Sequence, residues 1–413
     1  MSLLAKKKVG KVLTGDTFQY SFQAKKAKEI YDDVINSTVG ALFNDEKRFY
    51  EYKTISSIIK KLPVDMHYSY APTSGGEVFN KVVKQWVFGP HHSVIENSFY
   101  HDVVATPGAS GALYNTFMDY MDADDKLILP NIYWTNYLTM LENLGTSYVT
   151  YDMFDQHAFN VSAFIKTCEK MLEKKKKLIC LFNDPSNNPT GYSMSLDEWK
   201  QIYTYLNEKS EEGVDVLVIY DLAYIDYEGV SYQDSRRSFE ALKYVNSNIL
   251  LMFCFSASKS FSLYGLRGGA QIALSKCKDH IKSFKDVTVF TARATWSCPP
   301  STAIYTMNTL FSDDALIKKF TKELDHARQM IHSRAQMFIR EAAEVGLKHY
   351  PYHGGFFITL PVADPEKAFS ELADMHLYAI PVPHGIRLAI SSMTYDETKG
   401  LAYKIKNQLT QTT

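Results

Sequence analysis

An excess of either charge is missing from this 413-residue chain: 45 Lys and Arg stand against 46 Asp and Glu, a formal net charge of −1. Balanced charge removes the basic face that counterion release requires, which argues against a dedicated nucleic-acid or membrane-surface binder. Cysteine is sparse. Cys168, Cys180, Cys254, Cys277 and Cys298 lie far apart with no C-x-x-C pair, so neither a disulfide framework nor a zinc site is expected, and no metal centre is called for. Long hydrophobic runs are absent too: the longest, Ile249–Phe255, falls far short of the ~20 residues of a membrane helix. The opening MSLLAKKKVGK is basic without the apolar core of a signal peptide, and the expected location is the cytoplasm. Internal repeats, low-complexity tracts and Gly/Ser linkers are lacking. What remains, 46% hydrophobic and 22% charged residues, is a globular chain of roughly two to three domains by length.

Short apolar, β-branched runs alternate with helical stretches through the middle of the chain. Strands are expected at Asp102–Thr106, Lys126–Leu129, Ser147–Tyr151, Lys177–Phe182, Asp215–Tyr220, Ile249–Phe255 and Gly268–Ala273. Several are apolar throughout, as in a mainly parallel sheet covered on both faces. Helices are expected over Gly111–Met121, Val161–Lys175 and from the capping box Ser195–Glu198 to Leu206. From about Pro300 the pattern changes to the helices Ser301–Leu310 and Ala315–Val345. An antiparallel ending follows (His353–Leu360, Tyr378–Val382, Arg387–Ser391), closed by a helix Asp396–Leu409. This is an α/β class with a smaller α+β unit after it.

Four segments at expected strand ends carry chemistry. In FSASKSFSLYGLRGG, Phe255–Gly269, Lys259 follows an apolar strand directly. Partial desolvation there favours the neutral amine, which can form a Schiff base, and Ser256, Ser258 and Arg267 offer donors to a phosphate. In VLVIYDLAY, Val216–Tyr224, Asp221 ends a strand where a carboxylate is costly unless it meets a cation; a helix cap is the plainer alternative. In NDPSNNPTG, Asn183–Gly191, Asn188 precedes proline and is biased towards extended backbone, presenting its amide. TPGASGAL, Thr106–Leu113, puts small residues and free backbone N–H groups between a strand and a helix, which suits a phosphate. It is neither a Walker loop nor a complete G-x-G-x-x-G, so a nucleoside triphosphate or a nicotinamide dehydrogenase finds little support. An imine-forming lysine, a carboxylate for a ring nitrogen, Asn and Tyr donors and a phosphate cradle are together the needs of pyridoxal 5′-phosphate.

With S-x-S-K and its downstream arginine, N-N-P-T-G and D-x-A-Y in this order, the chain resembles the class I aminotransferases from about Ile35 to Ser391, and within them the aspartate and aromatic enzymes. The resemblance implies the fold-type-I pyridoxal-phosphate architecture. Residues 1–55 would form an N-terminal arm and part of a small domain, 56–305 a large cofactor-binding domain, and 306–413 the small domain. It further implies that Lys259 is the imine lysine, that Asp221 partners the pyridine nitrogen, and that Asn188 and Tyr224 contact the ring oxygen. Ser256 and Arg267 would hold the phosphate with Gly108, Ala109 and Ser110. Trp134, in PNIYWTNY (Pro130–Tyr137), would stack on the ring. Arg387, in GIRL, would clamp the substrate α-carboxylate, with Gly40 close to the substrate. Tyr70, in YAPTSG, would reach the phosphate of a partner subunit. Arg293, in RATWSCPP, would reach a substrate side-chain carboxylate across a homodimer interface.

The expected substrates are L-amino acids and 2-oxo acids, with aspartate and glutamate favoured and aromatic residues open. The chain departs from the family at three points: Tyr137 in place of a histidine that would bond Asp221, Gly108 in place of a serine, and Cys298 in place of an asparagine. A lyase reaction on the same cofactor and a non-catalytic cofactor-binding regulator are the rival readings.

Overall fold

An unbroken apolar run makes a strand only where both of its faces are covered, and that is where the central strands lie. The computed structural model describes residues 3–13, 17–229 and 231–409. Among these residues a seven-stranded sheet runs in the order Tyr100–Pro107, Gly268–Ser275, Leu250–Ser256, Asp215–Asp221, Lys177–Phe182, Lys126–Pro130, Ser147–Tyr151. Gly268–Ser275 is antiparallel to both its neighbours; all the other pairs are parallel. A parallel return needs a crossover, usually a helix, and the eleven residues between Ser256 and Gly268 hold only the one-turn helix Ala257–Ser260.

Alternation along each strand feeds two cores. Leu178, Cys180, Val216, Val218, Leu251 and Phe253 point into one, whereas Ile179, Leu181, Leu217, Ile219, Met252 and Cys254 point into the other. The strands Ser147–Tyr151 and Lys177–Phe182 and the helix Ser301–Leu310 have the ends expected from sequence, and most others differ by one to three residues. The helix opened by the Ser195–Glu198 capping box runs on to Glu211.

Beyond the large sheet, Phe357–Pro361, Gly385–Ala389 and Ile380–Val382 form an antiparallel sheet in that order. Its core includes Ile358, Leu388, Leu372 and Ile405. Ile35–Asn36 pairs in parallel with Leu377–Tyr378 beside it. The long helix Asp314–Val345 serves both units: Phe320 and Leu324 pack in the core of the large sheet, Phe338 and Ala342 in that of the small one.

The continuous helix expected over Asp396–Leu409 is instead broken. It forms Tyr395–Thr398 and Leu401–Gln408, with Gly400 between them at φ +77°. The reason is a contact with another helix: the Gly400 N–H donates to the carboxylate of Glu341, on the helix Asp314–Val345, at 2.7 Å rather than to a helical carbonyl. Among the described residues no helix is long and apolar enough to cross a membrane.

Candidate active site

The carboxyl ends of three parallel strands and the head of the helix Gly108–Tyr120 meet at a cavity of about 700 Å³. Ligands of open α/β sheets bind at this end of the strands. Lys259 sits in a one-turn helix, Ala257–Ser260, begun by Ser256, whose Oγ accepts from the Ser258 N–H at 3.2 Å. Its Nζ lies 5.5 Å from the centre of the Tyr224 ring and makes no hydrogen bond to the described residues. Burial pushes the amine down to about 8; Asp221 opposes that shift, while Arg267 and Arg387 add to it.

Asp221 closes its strand fully buried. Oδ1 accepts from the Ala223 N–H at 3.0 Å and Oδ2 from the Tyr137 hydroxyl at 2.6 Å. Burial raises this carboxyl above the usual range, while the bonds from Tyr137 and Ala223 and the charge of Lys259 pull it back. Tyr137 therefore fills the place in which the sequence had left Asp221 without its histidine partner. Beside it, Trp134 meets the Tyr137 ring edge to face at 5.3 Å.

The Asn183–Gly191 loop is fixed by its first residue. Asn183 accepts the Asn188 N–H through Oδ1 at 2.5 Å and donates through Nδ2 to the Asp221 carbonyl at 2.8 Å. The Asp184–Pro185 and Asn188–Pro189 bonds are both cis. Asn188 Oδ1 in turn accepts from Arg387 Nη1 at 3.0 Å, although Asn188 lies in a loop after a strand of the large sheet and Arg387 on a strand of the small one. Arg387 Nη2 donates to the Thr38 carbonyl at 3.2 Å, and the guanidinium lies 4.2 Å from the centre of the Phe357 ring. Its Nε has no partner, no carboxylate pairs with it among the described residues, and burial pulls it down to about 10. A buried cation left this way is strongly disfavoured unless an anion joins it.

At the opposite end of the cavity Arg267 donates from Nη1 to Ser258 Oγ and to the Tyr264 carbonyl, each at 2.9 Å. Gly108, at φ +73°, lies against it: a Cβ there would stand 2.9 Å from Arg267 Nη2. That contact and the left-handed backbone account for glycine where the resemblance calls for serine. Ala109 and Ser110 follow in the first turn, whose N–H groups have no intrahelical acceptor.

The sequence pattern of the family Aminotransferase class I and II matches residues 49–405. The chain belongs to this family. It is an aminotransferase that works with pyridoxal 5′-phosphate. The chain is 22% identical over 317 residues to the tyrosine aminotransferase of Klebsiella pneumoniae, covering 76% of this chain and 77% of that one. It is 25% identical over 284 residues to the aspartate aminotransferase of Escherichia coli K12, covering 67% and 68%. Among solved structures, the aminotransferase of Anaerococcus prevotii superposes with a TM-score of 0.94 at 29% identity over the whole of both chains. The aromatic-amino-acid aminotransferase of Burkholderia pseudomallei, solved covalently bound to pyridoxal phosphate, gives 0.81 at 18% identity, covering 98% of this chain and 100% of that one.

The aminotransferase cavity fits that cofactor group by group. A lysine amine without a protein partner would suit an aldehyde. A carboxylate with one donor on each oxygen keeps lone pairs for a ring N–H. Arg267, Ser256 and the first-turn amides at Ala109 and Ser110 suit a dianion. Gly40 also lines the cavity, where a Cβ would stand 2.9 Å from Phe357 Cζ.

Tyr70 and Arg293 do not reach this cavity. Tyr70 is 90% exposed, and Arg293 is exposed with Nη1 donating to Ser297 Oγ at 2.6 Å. Sequence reasoning overlooked the outer wall, made partly by Phe18, Ser21 and Lys25 of the helix Thr17–Lys28. These share one helical face, but its mixture of aromatic, hydroxyl and cation gives no amphipathic signal. Contacts from Lys8 to Asn143 and from Lys11 to Glu142 tie the preceding segment to the helix Asn136–Leu144.

Proposed function

We propose that the chain transfers the amino group of a dicarboxylic L-amino acid, aspartate or glutamate, to a 2-oxo acid by a ping-pong cycle in this cavity, with aromatic amino acids as a second substrate class. The buried, uncompensated guanidinium of Arg387 carries the reading. It supplies two parallel N–H donors for an α-carboxylate in the same cavity as the reactive lysine.

Pyridoxal 5′-phosphate supplies an aldehyde for the amine and a ring that takes up electrons when Cα loses its proton. Lys259 would hold it through its amine, and that amine, once free, would take the proton from the substrate Cα and return it, as base and acid. An amine lowered to about 8 suits both halves of that task near neutral pH. Asp221 holds the ring nitrogen, Asn188 and Tyr224 the ring oxygen, and Trp134 covers one ring face. Ser256, Arg267 and the Gly108–Ser110 turn hold the phosphate. Gly40 lets the substrate approach closely.

The proposal includes a homodimer in the cytoplasm, in which Tyr70 reaches the partner's phosphate and Arg293 the distal carboxylate of the partner's substrate. Val64, Tyr68, Tyr70, Val287 and Phe290 expose large apolar surface that a second copy of the chain would cover. It also includes the division of the chain into 1–55, 56–305 and 306–413.

The test adds aspartate, glutamate or tyrosine singly to the cofactor-loaded protein, without an oxo acid, and follows the visible spectrum and the oxo acid released. One equivalent of 2-oxo acid per site from aspartate or glutamate is expected. Ammonia or a decarboxylated product would turn the assignment to a lyase.

A further inference from the structure

Tyr137 sits at the junction of two groups assigned to the cofactor ring. It is 1% exposed, its hydroxyl donates to Asp221 Oδ2 at 2.6 Å, and its ring meets Trp134 at 5.3 Å and 85°. It reaches both because the helix Asn136–Leu144 starts just after Trp134, and the strand before it, Lys126–Pro130, belongs to the same sheet as the strand that Asp221 ends. We infer that Tyr137 is a positioning residue: its phenol fixes the Asp221 carboxylate towards the ring nitrogen while its ring edge fixes Trp134 against the ring face. The inference rests on the reading of Asp221 given above.

A carboxylate this deep in the protein would turn or take up a proton unless its lone pairs were filled. Both oxygens are occupied from the protein side, Oδ1 by the Ala223 N–H and Oδ2 by the phenol, so the remaining lone pairs are left for the cavity. The titratable groups facing this pair are Cys254 on the neighbouring strand, Tyr224, and Lys259 across the cavity. Burial and the Asp221 charge both raise the phenol above its ordinary value, so it stays a donor through the neutral range in which a histidine would titrate. A histidine in the same place would change charge between about pH 5 and 8. Tyrosine at 137 thus gives Asp221 a partner whose charge does not vary.

The test compares wild type with Tyr137→Phe, Tyr137→His and Asp221→Asn. It measures the dissociation constant of pyridoxal 5′-phosphate from the apoprotein and the pH dependence of the visible spectrum of the loaded protein. Phenylalanine keeps the ring and its contact with Trp134 and removes only the donor. Loss of a hydrogen bond to a charged group should weaken cofactor binding roughly ten- to hundredfold. Histidine should restore affinity at about pH 8 and add a spectral step between about pH 5 and 8 that wild type lacks. If Tyr137→Phe does not fold, the step in Tyr137→His decides alone. Binding within twofold of wild type in Tyr137→Phe, or no added step in Tyr137→His, would overturn the inference. Should Asp221→Asn also bind the cofactor like wild type, it is the assignment of Asp221 that fails.

Discussion

Arg387 offers a perturbation in which stability and activity should part. Burial pulls its guanidinium well below the ordinary value, to about 10, so holding the charge there costs on the order of 3 kcal/mol. Replacing it with Leu removes that cost and leaves the Thr38 carbonyl and Asn188 Oδ1 each short of one donor, at about 1–3 kcal/mol apiece. These opposing effects nearly cancel, and the apoprotein should melt within a few degrees of wild type. Activity has no such offset. Two charge-assisted bonds to a substrate carboxylate, at about 1.5–3 kcal/mol each, correspond to roughly a hundredfold to ten-thousandfold in kcat/KM. Lys in place of Arg387 keeps a charge but loses the fork, and should lie between the two. Calorimetry of the apoproteins alongside steady-state kinetics with aspartate and 2-oxoglutarate makes the comparison. Activity of Arg387→Leu within tenfold of wild type would refute the carboxylate role. A large fall in melting temperature accompanying the lost activity would show that Arg387 is structural.

Four other measurements probe the rest of the account. Only the neutral Lys259 amine attacks an aldehyde, so the rate of cofactor uptake by the apoprotein should rise with pH up to about 8 and level above it; a rate flat from pH 6 to 9 would contradict this. Because folding lowers this amine from 10.5 to about 8, the unfolded chain binds the extra proton in that window. Apoprotein stability should therefore rise from about pH 8 to 10.5, less steeply in Lys259→Met. Arg293→Leu should reduce turnover of aspartate far more than that of tyrosine, and equal losses would remove its role in selectivity. Gly108→Ala forces a Cβ to 2.9 Å from Arg267 Nη2 at φ +73° and should weaken cofactor binding by about tenfold, as fluorescence titration of the apoprotein would show; unchanged affinity would place the phosphate elsewhere.

What the sequence conveyed is what local chemistry writes into it. Buried strands read as apolar runs, and Lys177–Phe182 and Ser147–Tyr151 emerged with their observed ends. Lys259, Asp221, Asn188 and Tyr224 stood at strand ends in the sequence and share one cavity in the structure. What stayed hidden depends on long-range packing. Nothing near Asn188 announces Arg387, which reaches its loop from the small antiparallel sheet. Tyr137 was seen only as an absent histidine, because a phenol aimed at Asp221 looks the same in sequence as one filling a core. The helices Thr17–Lys28, Glu77–Phe88 and Lys278–Thr295 were not anticipated; the first of them buries only a narrow stripe of Tyr20, Ala24 and Ala27. The break at Gly400 was missed because the acceptor that stops the helix, Glu341, comes from another helix.

The central claim is that Lys259 is the residue that bonds to the cofactor. Reducing the loaded protein with borohydride and mapping its peptides by mass spectrometry tests that claim most directly. The account predicts one phosphopyridoxyl group per chain, on the peptide containing Lys259; the group on another lysine of the cavity, such as Lys25, or on none, would contradict it.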